Sequence, residues 1–174
     1  EVHVLIIAEG VTSRDEERNP IRRKESLSKL KKMAHKAHKI LGSNNIKLMD
    51  FPDNRMDSVD LLEIIKAVEK EINIVKPEII YTHHYGDLNI DHRITHQAVL
   101  TACRPEPLRC VKRILTFEVQ SSTEWQSPNI GTVFSPNVFI DISDTLSLKI
   151  DALKAYQSEM KPWPHSRSIK AVEH

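Results

Sequence analysis

The sequence predicts a three-layer α/β domain with a mostly parallel sheet. Stretches with the pattern of a strand alternate with stretches of helical periodicity through most of the 174 residues, and no internal repeat is present. The first predicted strand, residues 2–8, is a nearly continuous apolar run, as is typical of a strand buried on both faces. The length suits one domain with a single core, covering residues 1–174.

The first half of the chain supplies a helix and a second strand. Apolar residues recur at helical spacing over residues 21–41, and Gly42 is placed to end that helix. A short strand is predicted over residues 46–51, followed by a turn that contains Asp53.

The second half continues the alternation. Asp57 or Ser58 is expected to cap a second helix, which Pro77 ends. The other predicted elements are strands over 78–82, 112–119 and 138–142, and helices over 91–103, 144–160 and from 166 onward. Ligands of parallel sheets bind beyond the carboxyl ends of the strands, so the loops that follow these strands are where a site is expected.

Composition excludes several classes of protein. The content of 40% hydrophobic and 28% charged residues suits a globular domain, and the net charge of +1 favours neither nucleic acid nor membrane as a partner. No apolar run approaches the ~20 residues of a membrane span. The two cysteines, Cys103 and Cys110, lack CxxC spacing, which favours a reducing compartment over a disulfide framework. A cytoplasmic location is therefore expected.

The predicted helix over 21–41 is rich in lysine and arginine, so a nucleic-acid interface has to be weighed. Acidic residues at 15–17 lie just upstream, and no aromatic residues interleave with the basic ones. A solvated helix face explains the basic residues better, and no nucleic-acid partner is expected.

The loop after the predicted strand at 78–82 is dense in polar side chains. Four of the nine histidines fall within residues 82–96, and two of these, His92 and His96, share one face of the following helix. Asp91 stands at the helix start, where the helix dipole favours a carboxylate that can orient an imidazole. The pattern fits half of a metal site or a polar helix N-terminus equally well, because a catalytic zinc needs three protein ligands.

A longer comparison resolves part of this ambiguity. The run Asp87-Leu88-Asn89-Ile90-Asp91-His92-Arg93 and the segments 21–25, 51–55, 77–81, 139–142, 156–159 and 164–168 occur in a characteristic order and spacing. Together they resemble the LmbE-like, or PIG-L, family of zinc-dependent de-N-acetylases. The resemblance extends over nearly the whole chain and implies a Rossmann-like fold.

The resemblance also implies chemistry. Such an enzyme hydrolyses the N-acetyl group of an acetylated amino sugar of the N-acetylglucosamine type, or of its conjugate, using Zn²⁺ or another divalent metal. It makes His92 a metal ligand and Asp91 its neighbouring catalytic carboxylate. The family's His-Pro-Asp-Asp-Glu motif, which supplies two further ligands and the general base, is absent from these residues. We therefore expect a chain truncated at both ends, with that motif upstream.

One departure from the family concerns the oxyanion. Many members carry a histidine where this chain has Asn89, and an amide donates a hydrogen bond without carrying a positive charge. The resemblance leaves open whether Asn89 takes this catalytic role in weaker form or whether His165 or His84 supplies it.

Substrate contacts are expected from residues in other loops. The resemblance implies that Arg22 binds a polar part of the substrate with Glu25 holding it, although an i,i+3 surface ion pair is equally compatible with the spacing. Asp53 is placed to accept sugar hydroxyls or simply to shape its turn. Trp125 and Trp163 lie in loop-like contexts suited to stacking on a sugar or to packing.

Two other functions remain open at this point. One is a catalytically inactive, sugar-binding relative without the metal motif, and the other is a different metal-dependent hydrolase that uses His92 with His96. The expected partner is a small molecule. For the deacetylase and for its inactive relative, this is an acetylated amino sugar or glycoconjugate. A homo-oligomeric state stays open.

Overall fold

The computed structural model describes residues 1–105, 110–128 and 133–173. It divides into two compact units, Glu1–Asp53 with Pro136–His174, and Asn54–Ser135. We call them the first and second units and describe each by itself. The expectation of a single domain over residues 1–174 stays a prediction.

The first unit is built on a strand–helix–strand arrangement. Strands β1 (Val4–Ala8) and β2 (Ile46–Phe51) are joined by helix α1 (Lys24–Ile40). The strands pair in parallel from Val4 opposite Ile46 to Ala8 opposite Phe51, with an irregularity near the end of β1. The bounds of β2 agree with the prediction. Helix α1 begins three residues later than expected, because the preceding residues form a turn.

Small side chains let the helices of the first unit approach each other closely. Helix α1 contacts α4 (Leu146–Lys154), and the described chain ends in α5 (Ile169–Glu173). Ala37 of α1 is buried in a cluster with Ala152 and Ala155, and Ile40 and Tyr156 pack around it. Each alanine removes little apolar area from water, so close packing contributes much of what this contact gains.

The strand predicted over residues 138–142 is not observed. These residues are irregular, and a 3-10 turn over Ser143–Thr145 precedes α4. Phe139 and Ile140 are 81% and 63% exposed. An apolar run forms a strand only where a neighbouring strand and a buried face are available, and the described residues offer this run neither. The prediction of this strand is wrong.

Gly10 has little space for a side chain. It follows β1 with φ of +73°, and a Cβ there would lie 2.7 Å from Cδ2 of Leu30 on α1. Gly42 offers a matched comparison, since its φ is +76° and a Cβ would meet nothing within 4 Å. A side chain would therefore meet the same backbone strain at both positions, but steric crowding only at position 10.

Gly10→Ala should destabilise the protein more than Gly42→Ala. The left-handed backbone costs an alanine about 1–2 kcal/mol at either position, whereas the displacement of Leu30 adds roughly 1 kcal/mol at position 10 alone. Urea unfolding of both variants measures the difference. Equal losses of unfolding free energy would show that Leu30 moves aside at no cost.

The second unit begins with a helix and continues with a strand–helix–strand arrangement like that of the first unit. Its elements are a 3-10 turn (Met56–Ser58), helix α2 (Leu61–Val75), strand β3 (Ile79–His83), helix α3 (Ile90–Ala102) and strand β4 (Arg113–Phe117). Strands β3 and β4 pair in parallel from Ile79 opposite Arg113 to His83 opposite Phe117. Asp60, not Asp57 or Ser58, occupies the cap position of α2.

The core of the second unit holds α3 against α2. The apolar residues that α2 and α3 bury are Ile64, Ile65, Val68, Ile72, Ala98, Val99 and Ala102. Helix α2 ends at Lys76, whose left-handed φ of 52° lets its N–H bond the carbonyl of Ile72, and Pro77 follows. This packing gives α3 a fixed place beside β3, and the first turn of α3 carries the candidate site.

The α/β class with parallel strand pairing is confirmed, and the described residues form two two-stranded sheets. Within the described ranges, no helix is long and apolar enough to cross a membrane.

Candidate functional site

The turn between β3 and α3 is fixed by short polar side chains. Asn89 is the N-cap of α3, and its Oδ1 accepts a hydrogen bond of 2.8 Å from the backbone N–H of Asp91. The N–H of Asn89 in turn donates to Oδ1 of Asp87 at 2.8 Å, and Nη1 of Arg93 donates to the carbonyls of Asp87 and Leu88. The alternating Asp-x-Asn-x-Asp sequence therefore sets the start of α3 and brings Asn89, Asp91 and His92 together.

Asp91 is buried and engaged by the backbone of the second unit. Its Oδ2 accepts from the N–H of Asn54 at 2.6 Å, and its Oδ1 accepts from the N–H of Met56 at 3.0 Å. The carboxylate thus secures the turn that precedes α2. Its expected effect on the His92 imidazole stays a prediction.

His92 lies beside a different carboxylate. Its Nδ1 is 3.0 Å from Oδ1 of Asp87. The contact lacks the alignment of a hydrogen bond, so Nδ1 of His92 is buried without a hydrogen-bond partner. We regard the pair as a close electrostatic contact, since the distance is short while the direction of the N–H is poor. The side chain of His92 is 20% exposed.

Asp87 is fully buried and accepts from groups in two loops. Ser122 donates its Oγ–H to Oδ1, Thr123 donates its Oγ1–H to Oδ2 at 2.6 Å, and the Asn89 N–H completes the set. Burial, the strongest single influence, raises the pKa of Asp87, but these hydrogen bonds and the nearby His92 together bring the pKa below its ordinary value. The carboxylate is therefore ionised at neutral pH.

His83, the last residue of β3, stacks on His92. The ring centroids are 4.1 Å apart with 20° between the planes, and Phe117 packs on His83 at 4.9 Å. Burial and, secondarily, the proximity of His92 lower the pKa of His83 to about 4, so this imidazole is neutral. Its Nδ1 is buried without a hydrogen-bond partner. Its backbone carbonyl lies 2.8 Å from Nδ1 of His96, which places His96 in a structural contact.

The other expected site residues belong to the first unit. Arg22 is exposed, and its backbone N–H donates to Oδ1 of Asn19. Its neighbour Arg23 makes a bidentate pair with Asp15, at 2.7 and 2.5 Å. Glu25, expected to hold Arg22, is also exposed.

Asp53 and His165 have local partners. Oδ2 of Asp53 accepts from the backbone N–H of Ser13 at 3.1 Å and from its Oγ at 2.6 Å, which ties two loops of the first unit together. Nδ1 of His165 accepts from the N–H of Arg167 at 3.0 Å. A neutral His165 therefore carries its proton on Nε2. The substrate and catalytic roles expected of these residues stay predictions.

The metal-binding capacity of this constellation is limited. In the part of the chain that the structure describes, no group of three His, Cys, Asp or Glu side chains is placed to hold a metal ion. His92 with a carboxylate at its Nδ1 has the character of one supported ligand. One such ligand does not complete a zinc site.

Sequence reasoning assigned no role to Asp87, His83, Ser122 or Thr123. His83 ends β3, and Asp87 belongs to the polar segment between β3 and α3. The position of Asp87, two residues before an N-cap Asn, is a usable sequence signal for a carboxylate at a helix start. Ser122 and Thr123 gave no signal, because they approach Asp87 only through the parallel pairing of β3 with β4.

Comparison with solved structures shows that the fold is a known one. The conserved protein TT1542 from Thermus thermophilus superimposes with a TM-score of 0.64 at 18% identity, covering 97% of this chain and 69% of that one. GalB, the 4-carboxy-2-hydroxymuconate hydratase from Pseudomonas putida, gives 0.66 at 18% identity, covering 90% and 67%. N,N'-diacetylchitobiose deacetylase from Pyrococcus horikoshii gives 0.63 at 18% identity, covering 91% and 60%.

These likenesses establish the fold and leave the reaction undecided, since a hydratase and a deacetylase share it. A sequence-family comparison reaches further. The model of the family described as "PIG-L: GlcNAc-PI de-N-acetylase" matches residues 1–103, which include β1, β2, β3, the polar loop and α3. The chain therefore belongs to the PIG-L, or GlcNAc-PI de-N-acetylase, family.

Proposed function

We propose that this protein is a metal-dependent amidohydrolase that removes the N-acetyl group from an N-acetylglucosamine-type sugar or its conjugate. Membership of the PIG-L family supports the reaction class. The observation that carries the proposal is His92 on the first turn of α3 with the ionised Asp87 at its Nδ1. A histidine supported in this way suits metal ligation at Nε2.

Zinc is the cofactor that we propose, with His92 as one ligand. A bound zinc ion supplies an activated water and polarises the acetyl carbonyl. Another divalent metal with a preference for imidazole remains an alternative.

The residues around His92 have distinct proposed roles. Oδ1 of Asn89 is occupied by the Asp91 N–H, which leaves the amide Nδ2 as its donor toward a developing oxyanion. Asp91 acts as the catalytic carboxylate next to the ligand in sequence. His165, with its proton on Nε2, is the alternative donor to the oxyanion or to the leaving amine.

We propose Arg22 and Asp53 as contacts to the sugar or its conjugate. Arg22 is an exposed residue and so is accessible to a polar group of the substrate. Asp53 accepts from Ser13 through Oδ2, and its carboxylate is the group that we propose for a sugar hydroxyl. The proposal includes a small-molecule partner and a cytoplasmic location, for which the two thiols and their spacing argue.

Acetate release is the direct test of this function. The full-length protein with zinc should release acetate from at least one member of a panel of N-acetylglucosamine derivatives, and a chelator should abolish the release. Re-addition of zinc should restore it. Binding of the sugars without acetate release, at any zinc concentration, would instead establish a sugar-binding protein.

A further inference from the structure

Glu9, which follows β1 directly, is a buried carboxylate held by Arg18 and Thr12. Nε and Nη2 of Arg18 donate to Oε1 and Oε2 at 2.7 and 3.0 Å. The hydroxyl of Thr12, a fully buried residue, donates to Oε1 of Glu9 at 2.7 Å. A carboxylate removed from water requires donors of this kind, so the Glu9–Thr12 hydrogen bond is a fixed contact of the first unit.

The backbone between Glu9 and Thr12 is strained. Val11 is buried and has a left-handed φ of 61°, a conformation that β-branched residues rarely adopt. The N–H of Thr12 donates to the carbonyl of Gly10 at 2.9 Å, which closes a short turn around Val11. Such backbone strain persists only where surrounding contacts maintain it, and it is concentrated at functional sites. The Glu9–Thr12 hydrogen bond spans this turn and keeps it closed.

Ser13 follows the turn and directs two donors at Asp53. Its backbone N–H and its hydroxyl reach Oδ2 of Asp53 at 3.1 and 2.6 Å. The two loops meet because β1 and β2 pair in parallel, and the N–H of Glu9 extends that pairing to the carbonyl of Phe51 at 2.9 Å. Two donors from one residue restrict the direction of the Asp53 carboxylate. This edge of a parallel sheet is also where ligands bind.

We propose that Glu9 and Thr12 are positioning residues for Asp53: their hydrogen bond keeps the turn at Val11 closed, so that Ser13 holds the Asp53 carboxylate in the orientation that binds a sugar hydroxyl. This inference rests on the proposed function for the contact between Asp53 and the sugar. It also makes a claim that needs no substrate, namely that the hydrogen bond from the Ser13 N–H to Asp53 depends on the Thr12 hydroxyl.

Hydrogen exchange of the Ser13 amide tests that claim in the substrate-free, full-length protein. Thr12→Val keeps the shape of the buried side chain and removes its hydroxyl. It should speed exchange at Ser13 roughly 2- to 10-fold, the effect of losing one hydrogen bond, and Thr12→Ser should restore the slow rate. Thr145→Val is the control, because the Thr145 hydroxyl donates to a carbonyl in an exposed turn of the same unit. Unchanged exchange at Ser13 in a folded Thr12→Val protein would overturn the proposal.

Kinetics test the consequence for the substrate. With the N-acetylglucosamine derivative that the wild type hydrolyses fastest, Thr12→Val should raise KM roughly 2- to 10-fold and leave kcat nearly unchanged, because a sugar contact is weakened equally in the ground and transition states. Thr12→Ser should recover the wild-type KM. In an Asp53→Ala background Thr12→Val should raise KM no further, since Thr12 acts through Asp53. A further rise of the same size would contradict the positioning role.

The remaining outcomes separate this inference from the proposed function. If Thr12→Val does not fold, Ser13→Ala takes its place, because it removes one donor to Asp53; it should raise KM in the same range, and an unchanged KM would overturn the proposal. If the wild type releases no acetate, the proposed function fails, while the exchange rates at Ser13 still decide whether the turn controls the hydrogen bond to Asp53. A wild-type KM in Asp53→Ala would eliminate Asp53 as a sugar contact.

Discussion

His92→Ala is expected to remove zinc retention and acetate release together from the full-length protein. Under the proposed function His92 is a direct ligand, and losing a residue that merely supports a ligand already costs roughly 10- to 100-fold in metal affinity or activity. Loss of the ligand itself should therefore exceed about 100-fold in kcat/KM. Zinc stoichiometry by elemental analysis after exhaustive dialysis provides a measurement independent of catalysis.

The matched control is His35→Ala, because His35 is an exposed histidine on α1. That variant should retain zinc and activity at the level of the wild type. His92 also stacks on His83, so the far-ultraviolet circular dichroism of His92→Ala should be compared with that of the wild type. Wild-type zinc content in a folded His92→Ala protein would eliminate His92 as a ligand.

Signals confined to neighbouring residues predicted the fold well. The strand over 46–51 was predicted with its observed bounds, and α3 within one residue at each end. Apolar periodicity, Gly42 after α1 and Pro77 after α2 act locally, so they can be recognised without knowledge of the folded chain.

The predictions that failed concern segments whose structure depends on contacts with residues distant in the sequence. The start of α2 was assigned to Asp57 or Ser58, which have suitable cap chemistry, but Asp91 accepts the N–H groups of Asn54 and Met56 and so holds this segment in a turn. Residues 138–142 have the composition of a strand, yet composition does not supply a partner for pairing.

The candidate site likewise contains residues that local sequence signals predict and residues that only distant contacts place. The Asp-His spacing and the family resemblance identified Asp91 and His92 on one helical turn. The sequence could not predict that Asp87 is the carboxylate next to His92. Its position depends on hydrogen bonds from Ser122 and Thr123, which are 35 and 36 residues away. A polar network closed by two loops is visible only once the strands that carry those loops are paired.

The stability of the metal-free protein should depend on His83 between pH 6.5 and 4. The pKa of His83 is lowered from 6.5 to about 4 in the folded state, chiefly by burial. At pH 7 the residue is neutral in both states and contributes no pH dependence. As the pH falls below 6.5 the unfolded chain binds the proton and the folded chain does not, so the free energy of unfolding decreases with pH until about 4.

The expected loss is large for a single residue. A shift of about 2.5 pKa units at 1.36 kcal/mol per unit corresponds to about 3 kcal/mol between pH 7 and pH 4. Urea unfolding of the wild type and of His83→Phe across this range tests the expectation, because other titrating groups contribute equally to both proteins and cancel in the difference. The variant should lose about 3 kcal/mol less than the wild type on acidification. Parallel pH profiles would mean that His83 binds its proton as readily in the folded protein as in the unfolded chain, and that the stacked pair with His92 opens at little cost.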